Sequence, residues 1–282
     1  MTILDGKALA AKIKEQTLET TKALAAEGKR QPCLAVVLVG EDPASQIYVR
    51  NKHNDCITTG IKSLMHTLPA DTQEEELLAL IDRLNGDDGV DGILVQLPLP
   101  KHLNEQRVTE RISALKDVDA FSAYNVGLIT LGRGGFKPCT PAGIMRLLEE
   151  YGIDPKGKEC VVVGRSNIVG KPMALLLLAA GGTVTVCHTK TADLAFHTRR
   201  ADIIVAAAGK ADLINGDMVK EGAVIVDVGM NRKDGKLCGD VDFESCAPKA
   251  SYITPVPGGV GPMTRAMLLD NTLTAYRLSS EK

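Results

Sequence analysis

An apolar β-branched run, a glycine turn and an apolar helical pattern follow one another in residues 161–172, and Gly164 opens the turn. A strand that turns tightly into a helix points backbone N–H groups and the positive end of the helix dipole at a single place, where a phosphate can bind. The segment therefore predicts a nucleotide site in an α/β unit. An ordinary strand-to-helix turn is the alternative, because Ser166 replaces the second glycine of G-x-G-x-x-G and Gly170 comes one residue late.

The same segment does not fit a P-loop. Such a loop has four residues between its glycines and a Ser or Thr after the lysine, whereas Pro172 follows Lys171 here. A role in ATP hydrolysis is therefore disfavoured.

The end of the next predicted strand, residues 183–187, indicates which dinucleotide is bound. An NAD site normally has Asp or Glu there to accept a hydrogen bond from the ribose 2′-hydroxyl. This chain has His188, Thr189 and Lys190 instead, and Arg165 lies in the glycine turn. Arg165, Thr189 and Lys190 suit a 2′-phosphate, which a carboxylate would repel. We therefore expect NADP rather than NAD, the alternative being that these are solvated surface residues.

The composition bounds the class of protein. The 282 residues suit about two domains, and 44% apolar and 24% charged residues are ordinary for a globular protein. A net charge of −2 with scattered cations predicts no nucleic-acid or membrane partner. The seven cysteines include no C-x-x-C pair, so neither a disulfide framework nor a zinc site is expected. The chain starts with an amphipathic helical pattern and not a signal peptide, which predicts a cytoplasmic location.

Strand and helix patterns alternate along the chain, which predicts a mostly parallel sheet covered by helices on both faces. Helices are expected over residues 7–26, 43–59 and 72–84, the last with Thr72 as its cap and Glu75 at the reciprocal position. The glycine-rich residues 117–138 have little helical period and are interpreted as a boundary. We therefore expect a three-layer α/β catalytic domain over 1–120 and a Rossmann-like NADP-binding domain over 121–262, with the last helix, 263–282, packing back on the first domain.

A possible proton-transfer group lies in the second predicted helix, where Tyr48 and Lys52 are four residues apart and share one face. A lysine beside a tyrosine in a partly apolar cleft can act as an acid or base, although most such lysines are simply solvated. Gln96 ends a buried strand and precedes a rigid double-proline turn, so it is better placed than an ordinary loop glutamine. One of the two carboxylates in residues 116–119, Asp117 or Asp119, could hold a planar pair of N–H donors, but solvated loop acids are common.

Residues 255–262 contain three glycines and three prolines, which is unsuited to core packing. Such a loop is rigid and lets the backbone approach a flat ligand closely. A cis proline is possible there.

Together these segments resemble the bifunctional methylenetetrahydrofolate dehydrogenase/cyclohydrolase family, in the family's order and over nearly the whole chain. The matching segments are residues 48–52 (YVRNK), 91–100 (DGILVQLPLP), 116–119 (KDVD), 164–172 (GRSNIVGKP) and 257–262 (PGGVGP). One departure is Met230, where bacterial relatives often have isoleucine.

The resemblance implies that one cleft oxidises 5,10-methylenetetrahydrofolate with NADP⁺ and hydrolyses the methenyl product to 10-formyltetrahydrofolate. It implies that Lys52 transfers the proton in the hydrolysis and that Gln96 tunes and orients the lysine. It also implies that Tyr48 stacks on the folate and that Asp119 anchors the pterin. Homodimers joined through the nucleotide domains are also implied. The substrate-binding residues expected are Tyr48, Val49, Arg50, Asn51, Lys52, Val95, Gln96, Leu97, Asp119, Pro257, Gly258, Gly259, Val260 and Gly261. The residues expected to contact NADP are Gly164, Arg165, Ser166, Thr189 and Met230.

Two other functions share parts of this pattern. A dehydrogenase of a small amino or hydroxy acid has a similar two-domain plan, but its expected His/carboxylate site is hard to find here. A non-enzymatic NADP-sensing module would have no use for the Tyr48, Lys52, Gln96 and Asp119 set.

Overall fold

The computed structural model describes residues 1–280, which form two compact units. One unit comprises residues 11–139 and 265–280, and the other comprises residues 1–10 and 140–264. We call them the lysine unit and the glycine-turn unit, after Lys52 and Gly164.

The strands of the described chain, in order, are β1 (Thr2–Ile3), β2 (Cys33–Val39), β3 (Lys62–Leu68), β4 (Gly92–Val95), β5 (Glu159–Val163), β6 (Thr183–Cys187), β7 (Ile203–Ala206), β8 (Val224–Asp227), β9 (Asn231–Lys233), β10 (Lys236–Cys238) and β11 (Tyr252–Ile253). The helices are α1 (Gly6–Ala26), α2 (Pro43–Thr58), α3 (Glu74–Gly86), α4 (Glu105–Arg111), α5 (Ala123–Thr130), α6 (Cys139–Glu150), α7 (Gly170–Ala179), α8 (Leu194–Thr198), α9 (Phe243–Cys246) and α10 (Val260–Ser280), with a 3₁₀ turn at Gly216–Met218.

The lysine unit is built on a parallel three-stranded sheet in the order β3-β2-β4. Every residue of the central strand β2 is buried, as expected for a parallel strand covered on both faces. Its apolar side chains pack with β4, α3 and α4 into one core.

The last helix packs back on this unit, as predicted. The Arg265 guanidinium pairs with the Asp55 carboxylate at 2.9 Å, and the Asn271 amide donates to the Val118 carbonyl at 2.8 Å. Near the end of α10, the Ser279 hydroxyl donates to Asp91, which also accepts two hydrogen bonds from Arg30.

The glycine-turn unit has a six-stranded parallel sheet in the order β1-β11-β8-β7-β5-β6. Strands β7 and β8 are fully buried, whereas β6 forms an edge and is only partly covered. A second core lies beneath this sheet. The predicted α/β class with two domains is thus confirmed.

Two local predictions are wrong. Helix α3 begins at Glu74 after Gln73, with no side-chain cap, and the buried Thr72 hydroxyl has no hydrogen-bond partner. Residues 123–130, interpreted as boundary, form helix α5, because the Ser122 hydroxyl caps it by accepting from the Asn125 N–H.

The cysteines and helices add two observations. All seven cysteines, each within the described residues, are free thiols. Across residues 1–280, no helix combines the length and apolar character that a membrane crossing requires.

Candidate active site and nucleotide site

Helix α2 of the lysine unit carries the predicted proton-transfer group. The helix begins firmly, because Asp42 accepts from the Ser45 N–H at 2.8 Å and Pro43 occupies the first turn. Tyr48 and Lys52 are half-buried on one face. Burial raises the pKa of the Tyr48 phenol, so this side chain stays neutral and can stack on a ligand.

The Lys52 ammonium donates to the Gln96 amide oxygen at 3.1 Å. Gln96 directly follows β4, and its backbone N–H donates to the Val37 carbonyl at 2.9 Å. Its side-chain Nε2 donates to the Leu97 carbonyl at 2.6 Å, which fixes the amide oxygen towards the lysine. The Leu97–Pro98 peptide bond is cis. The structure therefore brings Lys52 and Gln96 together, as the sequence predicts.

Asp119 lies half-buried in the loop that precedes α5. Burial raises the pKa of its carboxyl, and the charge of Lys52 acts in the opposite direction. Asp119 therefore lies within electrostatic reach of Lys52 in the lysine unit. A half-buried carboxylate of this kind is well suited to a ligand that offers two N–H donors.

Three residues that were not predicted hold the Asp119 loop. The buried Asp117 carboxylate accepts from the Ser122 N–H at 2.9 Å and from the Asn125 amide at 3.0 Å. Asn271 of α10 donates to the Val118 carbonyl, as does the buried thiol of Cys139, at 3.4 Å. Burial raises the pKa of Cys139 well above its usual range, so it remains a neutral donor. No local pattern in the sequence indicates these long-range contacts.

The remaining predicted residues of the lysine unit differ in exposure. Val49 and Val95 are buried in its core, at 2% and 5% exposed, so they support their neighbours through packing. Asn51 and Leu97 are half-buried, and Arg50 is exposed.

In the glycine-turn unit, Gly164 directly follows β5 with φ of +134°, a region that favours glycine. A Cβ there would lie 2.1 Å from the Ala207 carbonyl oxygen, and one on Gly170 would lie 2.2 Å from the Gly164 oxygen. The two glycines are therefore required for the turn to pack this closely against β7 and α7.

The first N–H groups of α7 are not all free for a phosphate. The Ser166 hydroxyl accepts from the Val169 and Gly170 N–H groups at 3.2 and 3.3 Å, both long hydrogen bonds. Its own hydrogen can still be donated to an anion. Arg165 is exposed beside it. The turn thus offers a hydroxyl and a guanidinium as anion-binding groups.

The residues that directly follow β6, 188–191, include no carboxylate. His188 follows the strand, and its ring Nδ1 accepts from the Lys190 N–H at 3.1 Å. The Thr191 hydroxyl accepts from the His188 N–H at 2.9 Å, so the loop is internally fixed while Thr189 is exposed. Met230, in the loop after β8, is 53% exposed.

The glycine-proline loop after β11 is anchored at the start of α1. The Lys7 N–H donates to the Gly258 carbonyl at 2.9 Å, and Val256–Pro257 is a cis peptide. Gly258 has φ of +111°. Gly259 and Val260 are buried, whereas Pro257 and Gly261 are exposed.

A parallel dinucleotide-type sheet with a glycine turn, joined in one chain to a unit that carries a lysine–glutamine pair, defines a two-domain nicotinamide-dependent oxidoreductase. Comparison with known proteins specifies the family. Residues 4–119 match the model of the tetrahydrofolate dehydrogenase/cyclohydrolase catalytic domain, and residues 138–280 match that of its NAD(P)-binding domain. The chain belongs to this family.

Individual relatives agree. The chain is 61% identical to the bifunctional protein FolD of Moorella thermoacetica, over 98% of both chains. It superimposes with a TM-score of 0.97 on the crystal structure of the FolD methylenetetrahydrofolate dehydrogenase/cyclohydrolase from Campylobacter jejuni, at 56% identity and 99% coverage of both. The FolD structure from Trypanosoma brucei, complexed with NADP cofactor and inhibitor, has a TM-score of 0.96 at 38% identity and covers 100% of this chain and 99% of its own.

Proposed function

We propose that this protein oxidises 5,10-methylenetetrahydrofolate to the methenyl compound with NADP⁺ and then hydrolyses the product to 10-formyltetrahydrofolate. The observation that carries this proposal is the Lys52–Gln96 hydrogen bond at 3.1 Å beside a half-buried Asp119. We assign folate binding to the lysine unit and NADP binding to the glycine-turn unit. The finer domain boundaries, 1–120 with 263–282 and 121–262, are part of this proposal.

Folate recognition rests on Asp119 and Tyr48. The pterin ring offers an amino group and a ring N–H, which form a planar donor pair, and a carboxylate can accept from both. Burial disfavours the charged form of Asp119 and so raises its pKa; hydrogen bonds from two such donors would stabilise that charged form. The neutral Tyr48 ring stacks on and orients the ligand. The exposed Pro257 and Gly261, on the rigid loop of the glycine-turn unit, stay predicted substrate-binding residues.

When bound, the nicotinamide supplies the hydride acceptor for the first reaction. Oxidation is driven by the lone pair of the neighbouring folate nitrogen, so the protein needs mainly to hold its ligands in position. The residues that hold NADP are Gly164, Arg165, Ser166, Thr189 and Met230. Arg165 and Thr189 are exposed. The residue directly after β6 is His188, whereas an NAD site would have an Asp or Glu there. This donor set fits a 2′-phosphate.

The second reaction requires proton transfer. Water adds to the methenyl carbon and loses a proton to the amine form of Lys52, which gives a carbinol. The C–N bond then breaks as Lys52 returns that proton to the departing ring nitrogen, while the carbinol hydroxyl loses its proton to solvent and becomes the formyl C=O. Gln96 holds the lysine nitrogen towards the substrate, because its own amide is fixed by the Leu97 carbonyl. Lys52 thus acts as both base and acid.

We also propose a homodimer that forms through the glycine-turn unit. Strand β6 is an edge of the six-stranded sheet, and Val186 on it is 38% exposed. Leu178 of the adjacent α7 is 60% exposed. An open strand edge with apolar side chains favours pairing with another copy. Sedimentation equilibrium should give twice the chain mass for the wild type and a weaker dimer for Val186→Lys. A wild-type monomer at micromolar concentration would contradict the dimer.

A cytoplasmic location is proposed from the cysteines, since all seven are free thiols and a reducing compartment maintains that state.

The substrate is tested by following absorbance at the reduced-nicotinamide band. Purified protein is mixed with NADP⁺ and 5,10-methylenetetrahydrofolate, and a panel of small amino and hydroxy acids serves as the comparison. Reduction with the folate alone supports the proposal. Reduction only with an amino or hydroxy acid would establish the rival dehydrogenase, and no reduction with any substrate would favour an NADP-sensing module.

A further inference from the structure

Two buried carboxylates lie at the carboxyl edge of the sheet in the glycine-turn unit, and neither belongs to the predicted site. Asp227 is the last residue of β8 and is 4% exposed, and Asp240 follows the β9–β10 hairpin and is 0% exposed. Buried carboxylates are rare unless their oxygens are fully hydrogen-bonded. Their partners therefore show what they hold in place.

Asp240 holds the segment that follows β7. Its Oδ2 accepts from the Ala208 N–H at 2.6 Å and the Gly209 N–H at 2.9 Å, and its Oδ1 accepts from the Lys210 N–H at 2.9 Å. Three successive backbone donors thus converge on one carboxylate. Successive N–H groups that point at one place form an anion-binding nest, and the Asp240 carboxylate fills this one.

Asp227 holds Asp240 in turn. Its Oδ1 accepts from the Asp240 N–H at 2.9 Å and the Gly229 N–H at 2.8 Å, and its Oδ2 accepts from the Val241 N–H at 2.9 Å. The approach is so close that a Cβ on Gly239 would lie 1.7 Å from Oδ2. Asp227 is therefore a bridge between the end of β8 and the segment that carries Asp240.

Asn231 joins the segment after β8 to this network. Its side-chain Nδ2 donates to Asp240 Oδ1 at 2.9 Å and to the Gly239 carbonyl at 3.1 Å. The residue before it is the exposed Met230. One buried carboxylate thus sets the conformation of the segments after both β7 and β8.

The location of the network distinguishes it from an ordinary structural bond. In doubly wound sheets the nucleotide binds beyond the carboxyl ends of the strands, where the segments at 207–210 and 228–231 lie. Asp202 provides the contrast: it accepts from the Glu159 N–H at 2.8 Å at the amino end of β5 and pairs with Lys220. Both aspartates hold backbone, but only Asp240 holds backbone at the nucleotide edge.

We propose, on the basis of the NADP-dependent function above, that Asp240 is a positioning residue for the cofactor, supported by Asp227 and Asn231. It fixes the segments after β7 and β8 in the shape that receives NADP, without touching the reacting atoms. Substitution of this carboxylate therefore weakens NADP binding and leaves the chemistry of the lysine unit unchanged.

The test is Asp240→Asn in the full chain. The asparagine amide has an NH2 group in place of one carboxylate oxygen. In either orientation, this NH2 group would face one or more of the backbone N–H groups that now donate to the carboxylate. The KM for NADP⁺ in the dehydrogenase assay should rise about tenfold, the loss expected when one charge-assisted hydrogen bond is impaired. The kcat at saturating NADP⁺ and the rate of methenyltetrahydrofolate hydrolysis without NADP⁺ should remain within about twofold of wild type.

Asp202→Asn is the matched control, because it changes the same group at the opposite edge of the same sheet. It should lower the thermal midpoint without changing the KM for NADP⁺. If Asp240→Asn does not fold, Asn231→Ala removes one partner and keeps both carboxylates, with an expected rise in KM of about threefold. An unchanged KM for NADP⁺ in whichever of these two variants folds, or an equal rise in Asp202→Asn, would overturn the proposal. Wild-type protein without dehydrogenase or hydrolase activity would instead refute the proposed function.

Discussion

The Lys52 ammonium lies 3.1 Å from the Gln96 amide oxygen, and this hydrogen bond joins α2 to the end of β4. The Gln96 amide cannot easily turn, because its Nε2 donates to the Leu97 carbonyl at 2.6 Å. An acceptor of fixed orientation therefore faces the lysine. That arrangement separates Lys52 from an ordinary solvated surface lysine and makes it available for proton transfer at a defined point.

Gln96→Glu should slow hydrolysis and shift its pH dependence. A carboxylate in place of the amide would favour the ammonium form of Lys52, so the lysine would serve less well as a base. The half-maximal point of the pH–rate profile should move upward by about one pH unit or more. Gln16→Glu, on the exposed side of α1, is the control and should match wild type. An unshifted profile for Gln96→Glu would remove Gln96 from the account.

Asp119→Asn should weaken folate binding selectively. The amide cannot accept from both members of a planar donor pair, so the KM for the folate should rise at least about tenfold. The KM for NADP⁺ should not change, since Asp119 belongs to the lysine unit. Asp88→Asn, at an exposed site of the same unit, provides the comparison. Equal KM values for the folate in the two variants would exclude the anchoring role.

Arg165→Ala should reduce the preference for NADP⁺ over NAD⁺. The exposed guanidinium is a bidentate partner for a 2′-phosphate and gains nothing from a 2′-hydroxyl. The ratio of kcat/KM values for the two cofactors should fall by about tenfold or more. Arg133→Ala, an exposed arginine of the lysine unit, should leave that ratio intact. A wild-type protein that already prefers NAD⁺ would contradict the assignment of the cofactor.

Asp227 should make the free energy of unfolding depend on pH. Burial raises the pKa of Asp227 to about 6 from an ordinary 3.8; repulsion from the Asp240 carboxylate adds to the rise, and three N–H donors oppose it. Between these values the folded chain binds more protons than the unfolded chain. The contribution of Asp227 is therefore fully present below about pH 4 and is lost as pH rises through about 6.

Asp227→Asn tests this dependence by urea unfolding between pH 4.5 and pH 7.5, a range of about three units that spans the transition. Over this range, the stability of wild type relative to the variant should fall with rising pH by about 2 kcal/mol, because part of the change lies below about pH 4.5. Asp202→Asn should show no such trend, because its Lys220 hydrogen bond lowers the pKa of Asp202. Parallel pH curves for wild type and Asp227→Asn would disprove the assignment.

Local patterns predicted much of the fold and part of the site. The strand, glycine turn and helix around Gly164 depend on neighbouring residues, as does the shared face of Tyr48 and Lys52. The contact between Lys52 and Gln96 also requires the register that pairs Val37 with Val95, which no local pattern reveals. Gln96 is nonetheless a site candidate from sequence alone, because the two prolines that follow it indicate a rigid turn.

Other features depend on contacts between distant residues, and sequence patterns missed them. In the sequence, Asp240 looks like an ordinary loop acid beside a hairpin. Only the folded chain brings the Ala208 and Gly209 N–H groups to its carboxylate. Strand β1 has two residues and is defined by pairing with β11. Thr72 matched a capping pattern, but its side chain is buried and the helix starts two residues later.

The most direct test of the central claim is Lys52→Met, assayed for both reactions with NADP⁺ and 5,10-methylenetetrahydrofolate. Without a proton-transfer group, hydrolysis should fall by about 100-fold or more, while NADP⁺ binding remains at the wild-type level. The methenyl intermediate, which has its own absorbance band, should then accumulate. Lys22→Met, on the exposed face of α1, should show neither effect. Wild-type formation of 10-formyltetrahydrofolate by Lys52→Met would contradict the mechanism.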